Sequence, residues 1–449
     1  MKRDSWGTQI GFIFAVAGSA IGLGNIWKFP YMAGKHGGGA FILLFALALL
    51  LIGFPVLMAE MAIGRSTQRN PSGAFFHLGG KPFRRLGSVT ICIGFIVSTF
   101  YSAIAGWILG YFVESLLGHL AHFTTVAETE SHFNALQSSS FWGVGFQGVF
   151  VLLACYVLYA GVRNGIERWN KILMPLLFGI LAVLIVKGLS MPNSWEGVSF
   201  LSTFHWESIT SFGVLAALGQ AFFSLSVGQG TMVTYGSYLK KGENLFESCL
   251  PVLAMDVGTS MMASLAIFTI VFSAGLAPDS GPTLLFQTLP LAFSQMTGGV
   301  ILESAFFFLV CVAALTSQIS AMEPTIAYLV DEKRWTRHRA VVACSIGVFL
   351  FGIPSALSPK LIQQWFPFAT DFLQLLSFVA VDILIPLGGL FALLLVTYRW
   401  GTERAIDHLL SGHDHSLRKV RWLRLYFRVT FRYLSPLLIV VILLGALFT

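Results

Sequence analysis

Two short glycine-rich stretches carry the residue types that could do chemistry. Gly18-Ser19-Ala20-Ile21-Gly22-Leu23-Gly24-Asn25 interrupts one apolar run, and Ser224-Leu225-Ser226-Val227-Gly228-Gln229-Gly230-Thr231 interrupts another. Laid side by side, Ile21-Gly22-Leu23-Gly24-Asn25 and Val227-Gly228-Gln229-Gly230-Thr231 are both aliphatic-Gly-x-Gly-polar units. Glycines inside an apolar helix favour unwinding. Unwound backbone within a membrane is tolerated only where protein, water or a ligand satisfies it. Freed N–H groups at the start of a half-helix attract an anionic group. Freed carbonyls and neighbouring hydroxyls suit a hard cation such as Na⁺. Close helix packing through small residues is the plainer reading. It explains either stretch alone better than it explains the matched pair, which points to the binding site of a secondary transporter.

Glu60, Asp256, Glu323 and Asp382 also lie well inside apolar runs. An ionised acid at a bilayer centre costs about 2.5–3.5 kcal/mol on insertion scales, so each should face a partner, an ion or a water path. Asp256 follows the second break by one helix and could meet it in space. The adjacent hydroxyls of Thr316 and Ser317 could ligate a cation, or simply bond back along their own helix. His408, His413, Asp414 and His415 form a superficial metal cluster, but their basic loop reads as solvated. No nucleotide-binding loop supports ATP-driven transport, and no arrangement points to an enzyme.

These residues must be held by membrane spans. Of 449 residues, 55% are hydrophobic and only 11% charged, against roughly 25% charged in a soluble domain. Long apolar runs exclude a β-barrel, whose strands alternate. Segments 8–32, 38–63, 88–118, 142–160, 168–190, 211–238, 248–275, 299–330, 340–357, 370–398 and 433–448 read as spans in an all-α membrane protein with 11 transmembrane helices. Pieces near 197–209 and 282–295 read as short external elements. With the N-terminus in the cytoplasm, every Lys and Arg except Lys28, Lys35, Lys187 and Lys360 falls in an inside segment. The C-terminus is then outside. The net charge of +7 is thereby explained as a topology signal, with membrane lipid rather than nucleic acid as the environment. Lys2-Arg3 and the run Ile10 to Val16 outline a signal peptide, but the glycine break follows at once and no cleavage is expected. The five cysteines read as small buried apolar residues.

Trp6-Gly7, the run from Gly18 to Pro30, Gly37-Gly38-Gly39-Ala40-Phe41, Glu60 to Arg65, Gly219 to Gly230, and Thr316-Ser317 together resemble the neurotransmitter:sodium symporter family. The resemblance runs from about residue 5 to about residue 398. It implies one transporter domain over 1–449 with a five-plus-five inverted repeat: 8–190, then 211–398, with 433–448 as an added eleventh helix. It implies one sodium site from the Ala20 carbonyl, Asn25, Ser224, Asp256 and the substrate carboxylate. A second would use the carbonyls of Gly18, Ile21 and Ala313 with the hydroxyls of Thr316 and Ser317.

The resemblance also implies a substrate site built from Ser19, Ala20, Ile21, Gly22, Leu23 and Gly24 with Val97, Tyr101, Phe223, Ser224, Ser226, Gln229, Ser317, Gln318 and Ala321. The carboxylate would meet the N–H groups of Leu23 and Gly24 and the Tyr101 hydroxyl. Monoamine members carry an Asp where this chain has Gly22, so a whole amino acid is expected, and small Ala321 leaves room for a large side chain. Gln229 departs from the family's usual apolar residue. Chloride-dependent relatives have Asn at the position of Asp256 and a tyrosine at that of Phe45, so chloride independence is expected, although Ser260 matches the dependent pattern. The implied gates are Arg3 with Asp331, near Tyr238 and Glu323, on the inside. On the outside, Lys28 replaces the family's Arg. No acid stands near Gln374 to Ser377, and Asp371 is the expected substitute.

The expectation is a sodium-coupled importer of neutral, large hydrophobic or aromatic L-amino acids in a bacterial inner membrane. A carrier of another zwitterion or osmolyte, or a non-transporting amino-acid sensor, would share these features. The sequence leaves the oligomeric state open.

Overall fold

The computed structural model describes residues 4–240, 242–276, 284–357, 371–411 and 420–448. Among these, the only strand pairing is an isolated bridge between Gly38 and Phe204. Among the described residues, nine helices are long and apolar enough to cross a membrane: Gly39–Thr67, Lys81–Leu116, Phe141–Tyr159, Val162–Leu189, Leu245–Ser273, Gly299–Asp331, Arg337–Ala356, Phe372–Leu409 and Arg421–Leu447. The pair Gln9–Ala20 and Gly24–Lys35, bent by 52° at its break, makes ten. The remaining expected segment is divided into Ser211–Ser224 and Thr231–Ser237, each too short to span alone. We number the spans in chain order, with the bent pair first and the divided pair sixth.

Local chemistry sets the helix limits. Thr8 caps the first span by accepting from Gly11 N–H at 3.1 Å, and the helix stops at Ala20, where Ile21 turns extended. The first half of the sixth span is capped by Thr210 and stops at Ser224. Ser226, Gly228 and Gly230 then take left-handed backbone, with φ of 51°, 81° and 77°. Two of those three positions are glycines because a side chain is rarely tolerated there.

The external pieces take shape as the helices Ser194–Ser202 and Thr288–Ser294. Two short helices were not anticipated, Pro71–Gly79 and Val126–Ser138. Both carry readable start signals: Asn70 accepts from Gly73 N–H, with Pro71 in the first turn, and Thr125 accepts from Glu128 N–H. The third span begins at Lys81, earlier than its apolar stretch suggests, because basic residues of its first turns project beyond the apolar layer.

The first half of the first span packs against the fifth, seventh and eighth spans. The second half of the sixth packs on the second. A π segment in the second span, Leu49–Gly53, frees carbonyls that the eleventh span takes up: Tyr426 donates to Leu50 O, and Ser435 donates to Leu51 O at 2.7 Å.

The tenth span lies directly on the second break. A methyl group on Gly388 would collide with the Gly228 carbonyl oxygen, whereas one on Gly219 has nothing within 4 Å. Gly388→Ala is expected to destabilise the protein by about 1–3 kcal/mol. Thermal unfolding in detergent checks this, with Gly219→Ala leaving the midpoint no lower than in the parent.

Candidate functional site

The two breaks meet and satisfy each other. Ser226 Oγ, in the sixth span, donates to Ser19 O at 2.7 Å. Gln220 Nε2 donates to Gly24 O at 2.7 Å. The second span supplies the third stitch, where Glu60 Oε1 accepts from Gly228 N–H at 2.7 Å. One oxygen of Glu60 is thus committed to backbone at the break, which gives this intramembrane acid a partner, while its Oε2 is buried without one.

Between the breaks lies a cavity lined by Ser19, Ala20, Gly22, Leu23, Gly24, Val97, Tyr101, Phe223, Ser226, Gln229, Ser317, Ala321 and Ile385. Of these, Ile385 of the tenth span was not anticipated, and no residue pattern marks it out. Three expected residues stand back from the wall. Ile21 is fully buried behind it. Ser224 turns toward Asp256. Gln318 Nε2 donates to Ser98 O at 3.2 Å. Tyr101 reaches the first break, its hydroxyl accepting from Leu23 N–H at 3.4 Å. That contact is long, so an incoming carboxylate can compete for this donor.

Two oxygen clusters flank the cavity. In the first, Asn25 Nδ2 donates to Asp256 Oδ1 at 2.7 Å and to Ser260 Oγ at 2.9 Å, while Asn25 Oδ1 accepts from Gly22 N–H at 3.3 Å. Asp256 Oδ2 and Ser224 Oγ are buried without an aligned hydrogen-bond partner, although the hydroxyl sits beside the carboxylate. Two orphaned hard oxygens beside the broken helix fit a small hard cation.

In the second cluster, Ser317 Oγ lies 3.4 Å from Gly18 O and 3.3 Å from Ser19 O. Thr316 Oγ1 donates to Ala313 O at 3.0 Å. The back-bonding of Thr316 is therefore real, while Ser317 reaches across to the first span. Among the described residues, no group of His, Cys, Asp and Glu could hold a metal. His413, Asp414 and His415 lie outside the described residues. His408 belongs to the short helix Thr402–Leu409 rather than to a solvated loop, and its Nε2 accepts from Arg65 Nε at 3.3 Å.

Glu323 and Arg337 form an ion pair in which the carboxylate is fully buried. Glu323 accepts from Arg337 Nη1 at 2.9 Å and Nη2 at 2.8 Å, and from the Tyr238 hydroxyl at 2.7 Å. Arg337 also lies 3.5 Å from Asp4. Tyr238 and Glu323 are together as expected. Arg337 was missed because its charge was absorbed into the topology count. Arg3 lies outside the described residues. Asp331 accepts from Asn70 N and Nδ2, each at 3.2 Å. Trp6 Nε1 donates to Tyr235 O at 3.1 Å and holds the N-terminal segment in place.

Lys28 stands over the Phe223 ring, 5.2 Å from its centroid. The acid within its electrostatic reach is Asp382. Asp371, the substitute expected from sequence, instead caps a helix by accepting from Gln374 N–H at 2.7 Å. An Asp at a helix start satisfies a free N–H, and that role removes it from the gate.

Residues 3–140 and 139–449 match the profile of the Sodium:neurotransmitter symporter family. The chain is 36% identical to the sodium-dependent transporter YhdH of Bacillus subtilis, over 99% of this chain and 98% of that protein. It is 31% identical to a sodium-dependent transporter of Haemophilus influenzae, over 100% of this chain and 99% of that one. Its fold matches the crystal structure of MhsT in complex with L-phenylalanine with a TM-score of 0.88 and 34% identity, over 99% of this chain and 100% of that one. The paired helix breaks and the multi-span frame agree with these matches, and the chain belongs to the sodium:neurotransmitter symporter family as a sodium-dependent transporter.

Proposed function

We propose that this chain imports neutral L-amino acids with large hydrophobic or aromatic side chains, coupled to sodium at two sites and independent of chloride. The observation that carries the reading is the cavity between the two breaks. Leu23 and Gly24 on its wall would offer N–H groups to a carboxylate, and Ala321 contributes only a small side chain to the lining. Gly22 supports a substrate with its own carboxylate, since a side chain there would collide with Ser317 Oγ and come within 3.2 Å of the Tyr101 hydroxyl. The L-phenylalanine bound to MhsT supports the size class.

The substrate carboxylate would take the Leu23 and Gly24 N–H groups and the Tyr101 hydroxyl. It would also complete the oxygen set of Asn25, Ser224, Asp256 and the Ala20 carbonyl around the first sodium. The second sodium would sit with Gly18, Ile21, Ala313, Thr316 and Ser317, and would bridge the first and eighth spans. Each bound species improves the other's site, which is the coupling. The fixed charge of Asp256 stands where an added anion would otherwise be needed.

Alternating access would exchange an outer closure, made by Lys28, Asp382 and Tyr101 with Phe223, for the inner closure at Glu323. Arg3 and Asp331 would add to the inner latch. The two repeats, 8–190 and 211–398, would move against each other around the cavity. The N-terminus would face the cytoplasm of a bacterial cell.

Uptake of labelled amino acids into proteoliposomes under an inward sodium gradient tests the function. Trp, Tyr, Phe or Leu should accumulate with sodium and not with potassium. Accumulation only of a betaine would overturn the substrate class, and binding without accumulation would overturn transport. Ala321→Met should lower uptake of aromatic substrates about ten-fold or more relative to alanine. Replacing chloride with gluconate at clamped membrane potential should leave uptake unchanged. Arg337→Ala strands a buried carboxylate, at a cost of about 3–5 kcal/mol to the closed inner side. A cysteine placed at buried Ala327, in a chain lacking its five native cysteines, should then label faster from the inside.

A further inference from the structure

The tenth and eleventh spans lie side by side on the face that carries the basic loops. The tenth bends through the π segment Val396–Gly401, and the eleventh passes through the π segment Thr430–Leu434. Gly401, with φ of 93°, turns the chain into the short helix Thr402–Leu409. Between the two spans this leaves an open groove, lined among others by Thr397, Tyr398, Glu403, Arg404, Arg428 and Arg432.

The groove is positively charged beyond what its acid offsets. Glu403 Oε1 accepts from Arg428 Nε at 2.6 Å, and Oε2 accepts from Arg424 Nη2 at 2.8 Å. Arg424 is held further by Asp407 at 2.6 Å. Arg404 and Arg432 have no acidic partner among the described residues. Arg432 instead stands over the Tyr433 ring, 5.4 Å from its centroid. Beside the groove runs an exposed, largely apolar surface: Tyr398 is 71% exposed, Tyr433 59% and Leu437 61%. A topology signal needs basic residues in a loop, but it does not need two unpaired guanidinium groups converging on one groove that opens onto apolar surface.

We propose that this groove binds the phosphate of an anionic glycerophospholipid. Arg404 and Arg432 would hold the phosphate oxygens, where the planar guanidinium fork matches phosphate geometry. The acyl chains would lie along the exposed face at Tyr433 and Leu437. Basic pockets between membrane helices are suited to such headgroups. The bound lipid bridges the tenth span, which lines the substrate cavity through Ile385, and the eleventh. The proposal does not depend on which amino acid is carried.

The test is retention of phosphatidylglycerol against phosphatidylcholine by the purified full chain in mixed micelles, read by native mass spectrometry. The parent should retain phosphatidylglycerol preferentially. Arg404→Gln with Arg432→Gln should weaken that retention roughly 25-fold, about five-fold for each charge removed near a membrane surface. Neither arginine holds an acid, so the double variant breaks no ion pair, and its unfolding midpoint without added lipid should match the parent's. Arg339→Gln, an exposed charge away from the groove, should change nothing. Equal retention of the two lipids, or an unaffected double variant, would overturn the proposal. So would an equal loss in Arg339→Gln, which would indicate diffuse surface charge. Full displacement of phosphatidylglycerol by millimolar inorganic phosphate would assign the groove to a soluble anion and overturn the lipid.

Discussion

Backbone polar groups released inside a membrane must find partners, and this one constraint organises the molecule. Neither helix break can stand alone, because apolar surroundings offer nothing to a free N–H or carbonyl. The first break lends its Ser19 and Gly24 carbonyls to Ser226 and Gln220 of the sixth span. The second break lends its Gly228 N–H to Glu60. The spans around them therefore have fixed neighbours. Small residues at the crossings, such as Gly388 against Gly228, let the backbones approach closely enough for these bonds to form.

Stitching is incomplete by a small margin, and that margin lies beside the first break. Asp256 Oδ2 and Ser224 Oγ remain buried without aligned partners, and the Leu23 N–H contact to Tyr101 is long. Such groups cost free energy until a ligand satisfies them. A hard cation and a carboxylate would satisfy them together, because one oxygen set contributes to both. Coupling between ion and substrate then needs no distant relay.

The cluster around Glu323 works on a related principle. Glu323 is fully buried and takes three hydrogen bonds, two from Arg337 and one from Tyr238. Within low-dielectric surroundings a pair of this kind is all or nothing: partly opened, it leaves a stranded charge. Opening therefore requires water to reach the whole cluster at once. A closure of this type favours two discrete states over a continuum, as alternating access demands.

The helical membrane fold and the two break positions were legible in the residues, while the residues of the cavity wall came from the family resemblance. Length, apolarity and glycine spacing are local properties, and a membrane leaves backbone few alternatives. Asn25, Asp256, Thr316 and Ser317 stood out as polar groups where polar groups are expensive. What the residues did not reveal was pairing across the fold. Asp371 was the acid expected to partner Lys28, and Asp382 was read only as an acid inside an apolar run. Only the tertiary structure made one a helix cap and brought the other into the lysine's field. Arg337 looked like one topology charge among many, until packing set it against Glu323. Ile385 carries no local mark at all. Pattern along a chain reports what each residue needs from its surroundings, and packing decides which neighbour meets that need.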